Sequence, residues 1–417
     1  MKFSLKTYAV VFSIVSLYFV LPYGKAIRHG ITDFTQYHKA GQYLTQGKDI
    51  YYQLEKETGV GNVYSPFFIT MFLPLSFVNE LFAYFIWYWI KVFLWFGIVI
   101  LSIRICNQEN RGRMESWPTI PIIISFIVSF KYIQADMEGQ TNNIVLFFSL
   151  LSCYFLMRGD KILPSFFLSI ATSIKPFSAL LWTFFLAKKA IPDFFLFPLF
   201  LIFLNVVYPA FIVKGGSIEL AKSYISYVII KHIKGEVPWF EWNNQSLKAF
   251  LGRLLSDTYA FDHVKINLIS IDPNIIKYIS LFILLSSPVI IFLIFRGKSK
   301  AFQFEVAATM AIASVVSPVT EKHHMVHTFF GYFVLLNYIL SEQSLRLRVK
   351  DKKLILFLCF SAFLNLVFNR DIIGKFYFWS DAFGIPLISI FALIFALFRA
   401  RHLYLKQTID QKFKTNN

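Results

Sequence analysis

What this chain can fold into is limited above all by how often it turns apolar. Nearly unbroken apolar stretches recur at 7–22, 82–104, 118–131, 142–157, 162–174, 177–187, 191–213, 277–295, 301–318, 325–340, 354–369 and 383–398. Crossing the hydrocarbon of a bilayer takes about 20 mostly apolar residues in a helix, with a range of roughly 17–25. A helix suits lipid because it satisfies its own backbone N–H and C=O groups. The shorter stretches reach that length if their polar-looking ends continue into the headgroups; otherwise they tuck against neighbours. Composition agrees, with 56% hydrophobic residues and only 16% charged, where a soluble domain carries about 25% charged. Too few charges remain to cover a surface in water. A soluble enzyme, a disordered chain and a fibrous protein are excluded. The expected fold is all-α, a polytopic transmembrane bundle of about twelve spans. No repeat and no Gly/Ser linker divides residues 1–417, so a single domain is expected.

Charge orients the spans. The chain carries a formal net charge of +17. If the N-terminus is cytoplasmic and the apolar stretch 66–78 does not cross, the inner segments sum to +14 and the outer segments to +1, with Lys91 and Lys277 supplying the rest. Lys/Arg-rich short loops then all lie inside, as the positive-inside rule requires. Both termini are expected in the cytoplasm, with main extracytoplasmic loops 23–80 and 214–276 that carry short interfacial helices. The excess charge therefore reads as an orientation signal, and no nucleic-acid partner is expected. The first stretch follows lysines like a signal peptide but lacks a small-residue cleavage site, so it is read as an uncleaved anchor. Cys106, Cys153 and Cys359 lie in or beside apolar runs and share no polar loop, which argues against a disulfide framework.

The outer segments hold the unusual polar residues: Asp33, His38, Asp136, Glu138, Gln140, Asn142, Lys175, Trp242, Asn244, Gln245, Arg253, His323, His324 and Arg370. A chain that conducts or carries ions places ionisable groups near mid-bilayer, where each costs roughly 2.5–3.5 kcal/mol on insertion scales. Lys91 is the one clear charge of that kind here. The pattern points to a site on the outer face. Asp33, followed by Tyr37, Ala40 and Leu44, fits the start of a short amphipathic helix, where it acts either as a helix cap or as a catalytic carboxylate. Lys175 either snorkels to the interface or offers three donors to a phosphate oxygen. Arg253 is either a solvated loop charge or a bidentate phosphate clamp. His323 and His327 stand at i, i+4, a metal-ligand spacing on an α-helix, but without a partner Glu or Cys in register no metal is expected. Gln140, Asn142, Asn244 and Gln245 are neutral groups suited to sugar hydroxyls or to capping. Trp239 and Trp242 read as interfacial anchors.

A resemblance sharpens this. Asp33 with Tyr37, Ala40, Gly47 and Tyr51-Tyr52, then Tyr64-Ser65-Pro66-Phe67 leading to Leu73-Pro74-Leu75, resembles the start of glycosyltransferase family 87. In order along the chain, Gly139-Gln140-Thr141-Asn142 resembles the family's Gly-Gln-x-Asn element and Ile174-Lys175-Pro176-Phe177 its Lys-Pro turn. Asn244-Gln245-Ser246-Leu247 with Arg253 resembles its Asn-Gln-Ser element. Ser317-Pro318 with His323-His324 resembles its late Ser-Pro…His element. Ser65 departs from the two prolines usual after the Tyr, and Glu321 stands where an aromatic residue is usual.

The resemblance implies a membrane mannosyltransferase of GT-C fold that takes its sugar from a polyprenyl phosphate. It implies Asp33 as the base, Lys175, Arg253, His323 and His324 on the donor phosphate, and Gln140, Asn142, Asn244 and Gln245 on sugar or acceptor. A monophosphate leaving group needs metal help less than a diphosphate, so no cofactor is expected. The partners are a polyprenyl-phosphate sugar donor, a lipid or glycan acceptor and membrane lipids. A lipid-linked saccharide transporter or flippase is the rival, and it predicts intramembrane charges and two matching halves. A structural subunit leaves the one-sided polar residues unexplained.

Overall fold

The computed structural model describes Ser13, Ser16, Phe19, Tyr23 and Gly24, and then residues 32–58, 64–109, 119–213, 216–231, 240–261, 263–297, 301–340 and 351–415. The described chain is helical, with a single isolated β-bridge at Phe261 and Val264 in place of any strand. Each expected apolar stretch from 82 onward lies on helix, and the first, 7–22, falls almost wholly outside the described residues. Among those residues four helices, Glu80–Asn107, Ile191–Ala210, Pro273–Phe295 and Ile385–Thr408, are long and apolar enough to cross a bilayer. Two further pairs, each bent at a short break, raise the number to six if each is one span. Five apolar helices are shorter, among them Pro66–Ser76. Its 11 residues extend about 16 Å at 1.5 Å per residue, roughly half the hydrocarbon thickness.

Two compact units divide the chain: Met1–Ile98, Gln134–Trp182 and Ala190–Pro238 form the first, and Val99–Ile133, Thr183–Lys189 and Trp239–Asn417 the second. In the first unit, α1 (Thr32–Thr45) buries Tyr37, Ala40 and Leu44, the stripe that the sequence predicts, and with them Phe34. It packs on α2 (Pro66–Ser76) so closely that a Cβ on Gly41 would collide with Ser76 Oγ. Ser65, the departure from the family pattern, is the N-cap of α2: its Oγ accepts from Phe68 N at 3.4 Å and Pro66 takes the first helical position. Then come α3 (Glu80–Glu109), in this unit as far as Ile98, α4 (Phe130–Met137), in this unit from Gln134, α5 (Asn142–Met157) and α6 (Leu163–Ile174). The break between α4 and α5 is a tight turn, with Gly139 at φ +109. A Cβ there would be strained by that φ and would meet Phe34 N at 3.2 Å.

The second unit holds α7 (Leu247–Leu255), α8 (Phe302–Val316), α9 (Lys352–Val367) and α10 (Ile385–Thr415). Several of its buried polar groups are paired with one another. Tyr132 OH donates to Asn365 Oδ1 at 2.6 Å, Asn365 Nδ2 to Tyr332 OH at 2.6 Å, and Tyr332 and Ser361 share a hydroxyl contact at 2.5 Å. Glu305, fully buried, is bracketed by Lys188 at 2.5 Å and Arg401 at 2.8 Å.

Candidate functional site

Asp33 lies in the first turn of α1. Among the described residues its carboxylate accepts from Gln140 Nε2, a residue 107 positions away, rather than from the N–H groups of its own helix. The other end of the same amide accepts from Tyr64 OH at 3.3 Å and from Lys175 Nζ at 3.5 Å. Tyr64 OH meets Tyr37 OH at 2.7 Å, and Thr141 Oγ1 approaches it at 3.5 Å. The Lys175 ammonium also stands over the Tyr64 ring, 5.4 Å from its centre. A carboxylate, an ammonium and a phenol thus converge on a single amide, with a second phenol behind the first, all within the first unit.

Local sequence explains the placement. Lys175 precedes Pro176, whose ring bars the preceding residue from helical geometry; Lys175 accordingly sits at φ −140, ψ 117 as α6 ends. Gln140 follows Gly139 in the α4–α5 turn, whose φ and contact with Phe34 fix it against the start of α1. Gln140 and Lys175 are 7% and 8% exposed, and Asp33 is partly covered. Burial raises the Asp33 carboxyl above its ordinary value, while the Lys175 charge and the Gln140 hydrogen bond pull it back down. Burial likewise holds the Tyr37 phenol well above its usual value, so it stays neutral. Chemically, the arrangement can accept a proton at Asp33 and hold an anion at Lys175.

Asn142 lies beside this cluster but is committed elsewhere. Its N–H and Nδ2 both donate to Asp136 Oδ1, at 2.7 and 3.2 Å, and it is wholly buried. Asp136 in turn forms an ion pair with Lys91 at 3.1 Å, both side chains fully buried. The one clear mid-span charge in the sequence is therefore neutralised by a carboxylate of the next turn region.

Asn244, Gln245 and Arg253 belong to the second unit and hold a loop there. Arg253, fully buried, donates Nε to Ala382 O at 2.9 Å and Nη1 to the carbonyls of Phe240, Glu241 and Asn244 at 3.2, 2.8 and 2.7 Å. Burial lowers its guanidinium to about 10, still charged at neutral pH, with Asp381 opposing the shift. Asn244 Oδ1 accepts from Ser246 N and Thr320 N, each at 3.0 Å. Gln245 Nε2 donates to Trp242 O at 2.5 Å and Asp381 O at 2.9 Å. Trp242 packs edge-on against Tyr377 and Phe378, and Trp239 lies outside the described residues.

His323 and His324 sit on a 3-10 turn, Lys322–His327, and not on an α-helix. At three residues per turn, i and i+3 align and i, i+4 do not, so the expected His323/His327 register is lost. His324 Nδ1 accepts from Glu321 N–H at 2.9 Å and caps the turn, and His323 Nδ1 faces Glu321 Oε2 at 3.6 Å. No group of three His, Cys, Asp or Glu gathers among the described residues. Two partners escaped the sequence reading. The Tyr64 hydroxyl was visible only as part of a motif, and Asp381, paired with Lys322 at 2.6 Å, is one of two carboxylates in a short loop with nothing to single it out.

An all-helical chain with helices of membrane-crossing length and a buried carboxylate–ammonium cluster has the character of a membrane enzyme. Residues 62–318 match the model of glycosyltransferase family 87, more than half of the chain, and the protein belongs to that family. It is therefore a membrane glycosyltransferase. The matched stretch contains Gln140, Asn142, Lys175, Asn244, Gln245 and Arg253, while Asp33, His323 and His324 lie outside it. No curated protein and no solved structure matches the chain.

Proposed function

We propose that this glycosyltransferase moves a hexose, mannose first of all, from a polyprenyl-phosphate sugar to a lipid or glycan acceptor on the extracytoplasmic face. The acceptor hydroxyl gives its proton to Asp33 as its oxygen bonds to the anomeric carbon. The bond from that carbon to phosphate breaks, polyprenyl phosphate leaves, and the configuration inverts because no covalent intermediate intervenes. Lys175 takes the charge that develops on the departing phosphate, and Gln140 keeps Asp33 and Lys175 in register. The observation that carries this reading is the bridge from Asp33 through the Gln140 amide to Lys175.

Arg253, Asn244 and Gln245 are assigned to support, since their donors are engaged by backbone carbonyls of their own unit. His324 is assigned to the cap of its turn, with His323 beside it against Glu321. The whole chain works as a single GT-C domain with about twelve crossings and both termini in the cytoplasm. Labelling from outside the cell tests that topology: Glu57→Cys should react and Lys353→Cys should not, and the reverse pattern inverts the sidedness. The reaction itself is tested by Asp33→Asn in membranes supplied with labelled polyprenyl-phosphate mannose. Transfer should be lost, and full transfer in that variant removes Asp33 as the base.

A further inference from the structure

The buried Lys91–Asp136 pair has no part in the chemistry above, yet every contact it makes leads to the turn that presents Gln140. Asp136 divides its carboxylate: Oδ1 accepts from the Asn142 N–H and side chain, and Oδ2 faces Lys91 Nζ at 3.1 Å. The Lys91 ammonium also donates to the Asp136 carbonyl, whose oxygen accepts from Gln140 N at 2.9 Å as well. On the far side of the turn, Asn143 Nδ2 donates to the Lys91 carbonyl at 3.0 Å. Tyr84, also on α3, donates to the Met137 carbonyl at 3.1 Å. Residues on either side of Glu138–Thr141 are thus tied to α3, and Gly139 closes the turn against Phe34 N.

Stability alone does not call for such a pair. Two well-packed apolar residues of similar volume are commonly as stabilising as a buried ion pair, whose best-attested use is fixing register. Here the register to be fixed is that of Gln140, whose amide must reach Asp33 from a turn between two short helices. We infer that Lys91 and Asp136 are positioning residues that hold the α4–α5 turn so that Gln140 can hydrogen-bond the Asp33 carboxylate. The inference deepens the proposed reaction and rests on its choice of Asp33, but the ionisation of Asp33 can be read without any turnover.

The test is the pH dependence of Asp33 modification by a carbodiimide and an amine, read on the peptide by mass spectrometry in the full-length protein. Lys91→Met with Asp136→Leu removes both charges together, so no buried charge is left unpaired. Its midpoint for Asp33 should rise by about one pH unit, the effect of losing a hydrogen bond that favours the ionised form. Gln140→Ala should give the same rise, and adding it to the double variant should give no more, because both act through one contact. Asp136→Asn in place of Asp136→Leu, again with Lys91→Met, keeps the volume and an acceptor for Asn142 and should move the midpoint the same way by less. Transfer should fall about tenfold in the double variant, its acid limb moved to higher pH. An unchanged Asp33 midpoint in the double variant, with either Leu or Asn at position 136, overturns the inference, as does a shift that adds to that of Gln140→Ala. Transfer by Asp33→Asn tests the base separately, and its survival would sink that role while the titration still decides the positioning.

Discussion

In the first unit Asp33, Gln140, Tyr64 and Lys175 bond to one another through their side chains; in the second, Arg253 and Gln245 spend their donors on backbone carbonyls. The residue types are alike, and motif by motif the sequence gives both sets the same promise. The difference lies in what would be left unsatisfied if a substrate took over the bonds. Turning Arg253 toward a phosphate would strand several buried carbonyls, each costing about 1–3 kcal/mol. Among the contacts Lys175 would give up toward a phosphate are a long one to an amide and one to a ring face, both of which keep other partners. At these two places the contacts of the first set can be exchanged for a substrate at less cost than those of the second.

The comparison can be broken most decisively at its two ends. Asp33→Asn should reduce transfer by about 10²–10⁴-fold, the usual contribution of a general base, with the melting temperature in detergent close to that of the unaltered protein. Arg253→Ala should do the opposite. It leaves buried acceptors unpaired and should cost on the order of 3 kcal/mol or more in stability, seen as a lower melting temperature and poor yield, while the molecules that do fold transfer sugar normally.

Lys175→Met sharpens the first half. Loss of one charged group facing the developing negative charge should cost about 100-fold in transfer. The same variant should move the acid limb of the pH profile. Burial raises the Asp33 pKa and Lys175 lowers it, so removing Lys175 lets it rise further; the base is then ionised only at higher pH, and the limb shifts upward. A limb that stays in place would separate Lys175 from Asp33.

Much of this is legible in the sequence. The buried stripe of α1 follows from Tyr37, Ala40 and Leu44 at helical spacing, and the extended Lys175 follows from the proline after it. Pairings across the chain were not legible, because nothing local in Gln140 says that its amide reaches Asp33. The fate of Arg253 was hidden for the same reason: its acceptors are main-chain oxygens, which carry no sequence signature. The i, i+4 register of His323 and His327 does not hold, since the run is a 3-10 turn in which Glu321 and His324 cap one another.

The central claim, that chemistry resides in the first cluster and support in the second, reduces to one ratio. Transfer of labelled mannose per folded molecule should be measured side by side for Asp33→Asn and Arg253→Lys, with folded protein quantified by size-exclusion chromatography. The account predicts near-zero turnover for Asp33→Asn and near-normal turnover for the Arg253→Lys molecules that remain folded. Normal turnover in Asp33→Asn, or a folded but inactive Arg253→Lys, would contradict it.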